Sequence, residues 1–228
     1  MYTNVNLAAP LGAFALLGTG FLLLTAGLTL GYAIVMKKSR LTKVALVTIV
    51  LVAGGYLATV LIYSFVSSEK VLARGQEKYF CEIDCHLAYS VTDVHETKVL
   101  GEGSDQLTAA GMFRVVTVKT RFDEKTISRN RGDGLLYPNS RLVSISDEKG
   151  MQYFPSAMAQ SVLEKSQTAG SAMTIPLRPG ESYSTTLVFD LPADVKNPTL
   201  LIHEGEILTR FVIGHENSFL HKKTRFQI

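Results

Sequence analysis

The stretch Lys78-Tyr79-Phe80-Cys81-Glu82-Ile83-Asp84-Cys85-His86-Leu87-Ala88-Tyr89-Ser90-Val91 holds the only two cysteines of the chain and a histidine beside the second. Tyr79, Cys81, Ile83, Cys85, Leu87, Tyr89 and Val91 alternate with a mostly polar set: Phe80, Glu82, Asp84, His86, Ala88 and Ser90. Period-two alternation of this length predicts a half-buried strand over residues 79–91, with the cysteines facing a core. The stretch also marks a change of solvent. The residues before it read as membrane, and those after it as a water-soluble β domain.

Working towards the N-terminus, residues 7–36 and 44–68 contain no charged side chain. A bilayer is spanned by roughly 20 apolar residues, so spans are expected at about 7–36 and 44–66. Pro10 stands near the start of the first, where a missing N–H does no harm. Between the spans lies Lys37-Lys38-Ser39-Arg40-Leu41-Thr42-Lys43, with four basic residues and no acidic one. Basic loops stay in the cytoplasm, which places both termini and the β domain on the other side of the membrane. Residues 1–6 carry no basic residue and the run after them is too long for a signal core, so a signal anchor is expected. Gly27, Gly31, Gly54 and Gly55 are candidates for close packing of the hairpin on itself or against a partner. With no Asp, Glu, Lys, Arg or His in either span, the hairpin reads as an anchor and not as an ion path.

Working towards the C-terminus, residues 69–78 read as a polar stalk, and residues 79–228 as one domain large enough for a core of its own. Strands are expected at 112–122, 141–146, 151–154, 182–191, 199–203 and 206–213, divided by turn signals in the manner of an all-β sandwich. Asp147-Glu148-Lys149-Gly150 marks a hairpin turn, and Tyr183, Thr185, Leu187, Phe189 and Leu191 share a face. Residues 157–168 suit a short helix or a long loop. The tail, residues 217–228, alternates apolar and basic residues and suits a last strand, a partner contact, or an arm on anionic headgroups.

Four segments recur in a set order: Phe113-Arg114-Val115-Val116-Thr117-Val118-Lys119, the hairpin from Leu142 to Tyr153, Ile175-Pro176-Leu177-Arg178-Pro179-Gly180-Glu181, and Leu187-Val188-Phe189-Asp190-Leu191-Pro192. Over residues 111–202 this resembles the telokin-like, Ig-like domains of bacterial cell-surface proteins and lipoproteins. The resemblance implies an immunoglobulin-like sandwich outside the cytoplasm and supplies no catalytic residues; with the hairpin before it, the expected location is a bacterial inner membrane. The topology of two spans and a C-terminal β domain also resembles subunit II of cytochrome oxidases. Cys81 and Cys85 match the spacing of that family's copper loop, but Tyr89 and Thr92 stand where its histidine and methionine belong. A copper centre of that type is excluded.

Four readings of Cys81, Cys85 and His86 remain. In a regular strand the two cysteines lie about 13 Å apart, beyond the roughly 7 Å Cα separation of a disulfide, and are small core hydrophobes. A bulge between them would permit a disulfide in this compartment. Cys-x3-Cys-His is one residue longer than the usual haem-attachment motif, for which Met112, Met151, Met158 or Met173 could supply a distal ligand. The same three residues could hold a soft metal such as Cu(I), or Glu82, Asp84 and His86 a harder ion. His95, His203, His215 and His221 show no ligand spacing, and Arg131-Gly132-Asp133 reads as a loop.

No nucleophile elbow, phosphate loop or zinc-protease motif is present, so catalysis is not indicated. The net charge of +3 and the lack of a basic, aromatic-rich tract give no case for nucleic acid. The sequence therefore leads to a membrane-anchored, all-β, non-catalytic binding or accessory module. Its expected partners are the lipid bilayer and other subunits of a membrane complex. The alternative is an electron-transfer or copper- or haem-handling subunit.

Overall fold

A computed structural model of the chain describes residues 8–80, 87–124 and 131–228. These fall into two units, one of residues 8–68 and 206–222, the other of residues 69–205 and 223–228 within the described ranges.

The first unit is built on two long helices, α1 (Ala8–Val35) and α2 (Ser39–Val66). α2 begins at Ser39, ahead of the apolar run, so Arg40 and Lys43 sit in its first turns rather than in a loop. The connection is short because Lys37 adopts a left-handed conformation (φ 53°). There the Lys38 amide donates to the Ala33 carbonyl (2.8 Å), the six-to-one bond that closes a helix end. At about 1.5 Å per residue each helix is roughly 42 Å long, more than a hydrocarbon layer of about 30 Å.

Along α1 the covered positions include Gly12, Leu16, Thr19, Leu23, Ala26, Leu30 and Ala33, and along α2 Ala45, Ile49, Val52, Tyr56, Val60 and Ser64. Along α1 the steps alternate between four and three, a seam of period 3.5, and along α2 they run four, three, four, four and four, close to the helical period. Gly27, Gly31, Gly54 and Gly55 lie off this seam, exposed, with nothing within 4 Å of where a Cβ would stand. Packing of the hairpin on itself therefore uses alanines and not these glycines. Away from the seam the helices carry Phe14, Leu17, Phe21, Leu28, Val47, Val50, Leu51 and Ile62 outward. Thr25, Thr29 and Thr59 turn their hydroxyls back onto carbonyls of their own helix (2.8–2.9 Å), which removes the donors from an apolar surface.

The second unit is a two-sheet β structure. One sheet has the order β1-β9-β8-β5-β6, from β1 (Lys70–Leu72), β5 (Arg141–Ser146), β6 (Gln152–Tyr153), β8 (Thr199–Glu204) and β9 (Thr224–Gln227). The other has the order β2-β3-β4-β7, from β2 (Lys78–Phe80), β3 (Leu87–Leu100), β4 (Leu107–Phe122) and β7 (Ser182–Leu191). All pairs are antiparallel except β1 with β9. Leu87, Tyr89, Val91, Val116, Val118, Phe122, Phe189 and Leu191 from one sheet meet Leu72, Val143, Ile145, Leu200, Ile202 and Phe226 from the other in a single core.

A short helix, α3 (Ala157–Lys165), resolves the helix-or-loop ambiguity of residues 157–168. Ser156 caps it by accepting from the Ala159 amide (3.3 Å), as N-cap serines do. Ala159 and Leu163 cover Phe113, Val115 and Val188 on the outer face of the second sheet. That is why Phe113-Arg114-Val115-Val116-Thr117-Val118 reads as nearly continuous rather than alternating: both faces of β4 are buried.

The quoted motifs are turn chemistry. Asp147 accepts from the amides of Lys149 and Met151 (both 2.9 Å) and from the Tyr153 hydroxyl (3.3 Å), closing the β5–β6 hairpin. Arg178-Pro179-Gly180-Glu181 places Gly180 at φ 84°, a position that favours glycine; the Gly180 amide donates to the Phe122 carbonyl and the Phe122 amide to the Glu181 carbonyl (both 3.0 Å). Asp190 accepts from the amides of Ala110 and Gly111 (2.8 and 3.0 Å) across the β4–β7 ladder.

Three expectations are corrected. Residues 69–78 are not a stalk, because they carry β1 and the start of β2. Residues 206–213 are not a strand; a 3-10 turn spans Ile207–Phe211 and belongs to the helical unit. Of the tail, only Thr224–Gln227 is a strand.

Candidate functional site

The strand expected over residues 79–91 is two strands. β2 and β3 run antiparallel with Lys78 opposite Tyr89, Tyr79 opposite Ala88 and Phe80 opposite Leu87. Register partners in a hairpin share a face, whereas positions 80 and 87 of one continuous strand would oppose each other. The alternation rule therefore gives the correct phase for Leu87, Tyr89 and Val91 and the inverse phase for β2. Phe80 is in the core, and Tyr79 is on the outer face. Cys81, Cys85 and His86, the predicted metal or haem residues, lie outside the described residues, as do Glu82 and Asp84.

The residues flanking this hairpin form two polar clusters. On the outer face, Arg121 near the end of β4 donates from Nε to Glu77 Oε1 (2.7 Å) and from Nη2 to Glu77 Oε2 (2.8 Å). This is the bidentate fork of a guanidinium on a carboxylate. The Tyr79 hydroxyl lies between Asp123 Oδ2 (2.7 Å) and Glu77 Oε2 (2.9 Å) and accepts from Arg121 (3.1 Å). Arg121 also lies 3.2 Å from buried Asp123. The Arg121 bonds hold the Glu77 carboxyl below its ordinary range. Burial, then the two carboxylates, push the Tyr79 phenol well above its ordinary value of 10. The folded chain therefore keeps the phenol proton beyond the pH at which an ordinary tyrosine loses it. Glu77, the guanidinium and the phenol already serve one another, which is the geometry of a clamp between β2 and β4.

On the inner face, Lys78 is 2% exposed and its ammonium donates to the Ile202 carbonyl (2.7 Å) on β8 and the Thr224 carbonyl (3.0 Å) on β9. Arg141 has a side chain that is 0% exposed; it pairs with Glu204 (3.1 Å) and lies over the rings of Phe80 (4.3 Å) and Tyr89 (5.7 Å). Phe80 packs edge-on against Tyr89 (5.3 Å) and has the Lys78 ammonium 4.9 Å from its centroid. Each cation is stabilised by aromatic faces as well as by oxygens. Lys78 ties one sheet to the other through the core.

None of these seven polar residues was legible as a site. Glu77 and Arg121 are 44 positions apart, and Lys78 and Ile202 are 124 apart. Alternation places Lys78 on the polar face, so its burial left no signal in the sequence. Among the described residues no group of three or more His, Cys, Asp or Glu side chains could hold a metal ion. His95 contacts Asp93 (3.2 Å), His203 the Glu204 carbonyl (2.9 Å), and His215 accepts from the Asn217 amide (2.9 Å). Of the methionines considered as haem ligands, Met151 and Met158 are exposed and Met173 packs against the sandwich core. Arg131 of the Arg-Gly-Asp triplet donates to the Gly134 carbonyl (2.8 Å) and lies over the Phe122 ring (4.7 Å).

No family model matches the sequence, and no curated protein does. Among solved structures, the chain is similar to MPT63, a secreted protein of Mycobacterium tuberculosis, at 13% identity over 71% of this chain and 98% of that one, with a TM-score of 0.42. A conserved hypothetical protein of Bacillus anthracis aligns at 19% identity over 58% of this chain and 92% of its own, TM-score 0.40. The yjhA protein of Bacillus subtilis aligns at 14% identity over 58% and 80%, TM-score 0.38.

Proposed function

We propose that the protein is a membrane-anchored, non-catalytic binding or accessory module with an immunoglobulin-like sandwich outside the cytoplasm, working as a subunit of a larger bacterial inner-membrane complex. One observation carries the reading: α1 and α2 are apolar around their whole circumference and turn large side chains such as Phe14, Phe21 and Leu51 outward. A helix of that kind needs an apolar solvent. The cluster Lys37, Lys38, Arg40 and Lys43 at the turn of the hairpin favours a cytoplasmic turn, with the sandwich and both termini on the opposite side. The polar clusters around β2 are engaged in holding strands together, which fits a scaffold for binding better than a reaction centre.

The test is purification of the full chain from its native membrane in mild detergent. Copurification of defined membrane-protein subunits in stable proportion is the expected outcome, and a lone monomer across several detergents overturns it. Protease added to intact spheroplasts is expected to digest the β domain; protection there, with digestion only after lysis, would reverse the orientation.

A further inference from the structure

Residues 206–222 leave the sandwich sequence, return to the helical hairpin and are fastened there. The Tyr56 hydroxyl donates to the Phe211 carbonyl (2.7 Å), and the Lys222 amide donates to Ser67 Oγ at the end of α2 (2.8 Å). Gly12 of α1 meets the Ile213 backbone so closely that a Cβ there would overlap its carbonyl. The excursion is closed on itself. The Phe219 amide donates to the Arg210 carbonyl (3.1 Å), Asn217 Nδ2 donates to Thr209 Oγ1 (2.8 Å) and the Glu206 carbonyl (3.3 Å), and Ser218 Oγ donates to the Val212 carbonyl. Phe211 and Phe219 pack edge to face (5.2 Å). This is a compact loop whose ends lie together, held by its own side chains.

Its composition is unusual for such a loop. Ile207, Leu208, Phe219 and Leu220 are all exposed, while polar Asn217 and Ser218 are used internally. A loop exposed to water would carry the reverse arrangement. Its level on the hairpin supplies the explanation. From Lys43, the last charged residue of α2, to Val60 the rise comes to roughly 26 Å, and to Ser64 roughly 32 Å, at about 1.5 Å per residue. A hydrocarbon layer is about 30 Å thick. Val60 and Ser64 are buried and lie on the stretch of α2 between the two anchors at Tyr56 and Ser67. The loop therefore sits at the far hydrocarbon boundary from the basic turn, and its exposed apolar side chains continue the apolar surface of the helices.

We propose that residues 206–222 form an interfacial collar that inserts Ile207, Leu208, Phe219 and Leu220 into the acyl-chain boundary of the outer leaflet, with Arg210 and Lys222 among the headgroups. This rests on the anchoring reading and adds a second lipid contact to it. The collar fixes how far the hairpin can slide or tilt in the bilayer. It does so with side chains, where a hairpin longer than the hydrocarbon layer leaves depth underdetermined.

The chain contains no tryptophan, so a single introduced indole is an unambiguous reporter. Leu208→Trp and Leu220→Trp, both at exposed positions, and Leu51→Trp as a hairpin control are placed one at a time in the full chain. The chain is reconstituted in phosphatidylcholine vesicles whose acyl chains carry bromine at shallow or deep positions. The collar indoles are expected to emit blue-shifted light and to lose most of their intensity to shallow bromines, while Leu51→Trp loses most to deep ones. Collar indoles quenched by aqueous acrylamide and untouched by bromine, beside a lipid-quenched Leu51→Trp, would sink the collar and leave the anchor standing. A Leu51→Trp indole untouched by lipid would sink the anchor and the collar together.

Discussion

Tyr79 carries one proton between two carboxylates, and part of the alkaline pH dependence of stability stems from it. The phenol has a folded pKa raised above its ordinary value of 10, so its contribution is complete below pH 10. Above that pH the unfolded chain ionises Tyr79 while the folded chain does not, and stability falls. Burial raises Tyr183, and burial with Asp147 raises Tyr153, so both add to the same limb. Glu77 has the opposite sign. Its folded pKa is lowered from 4.5, so its contribution is complete above that value and is lost as pH falls through the folded one. Urea unfolding of the full chain in detergent, followed by circular dichroism between about pH 9 and 11.5, is expected to show a shallower alkaline loss for Tyr79→Phe than for the native chain. Equal slopes would mean that Tyr79 is not buried between Glu77 and Asp123. Residue by residue, the turns at Asp147 and Gly180 were legible in sequence because each acts within a few positions, whereas the bonds of Asp190 to Ala110 and Gly111 span 79–80 positions and were not. The Glu77–Arg121 clamp was not, because only strand pairing brings its partners together.

At the scale of elements, glycines separate places where the backbone is approached from places where it is not. A Cβ at Gly111 would overlap the Leu191 carbonyl of the neighbouring strand. Gly111→Ala is therefore expected to cost about 1–3 kcal/mol, the usual range for overpacking, as read by urea midpoint. Gly27 has open space around it, so Gly27→Leu is expected to leave hairpin stability in detergent within about 0.5 kcal/mol of the native value. A large loss at Gly27 would mean the seam runs along a different face of α1. The existence of α1 and α2 was legible as long uncharged apolar runs, and that of β7 from its alternation of Tyr183, Thr185, Leu187, Phe189 and Leu191. β2 and β3 were merged because the alternation of apolar residues happens to continue through the reversal of the chain. Periodicity records faces; it carries no information on chain direction.

For the whole molecule, the two sheets are joined by Lys78 as well as by apolar packing. Lys78→Met keeps the aliphatic volume and leaves the carbonyls of Ile202 and Thr224 without this donor. A buried acceptor deprived of its partner costs about 1–3 kcal/mol, so a drop of that size or up to twice it is expected in urea unfolding. A neutral or stabilising result would show that desolvating the ammonium already cancels its hydrogen bonds. The sequence by itself determined the large divisions: two apolar helices closed by a basic turn, then a β-rich domain. It could do so because burial and solvent preference are written in local composition and period. The tertiary structure alone decided that β2 and β3 are a hairpin, that residues 69–78 join the sandwich, and that residues 206–222 return to the helices. Those outcomes depend on pairings between residues far apart in the chain, and a one-dimensional pattern does not specify which distant segment satisfies a given edge or face.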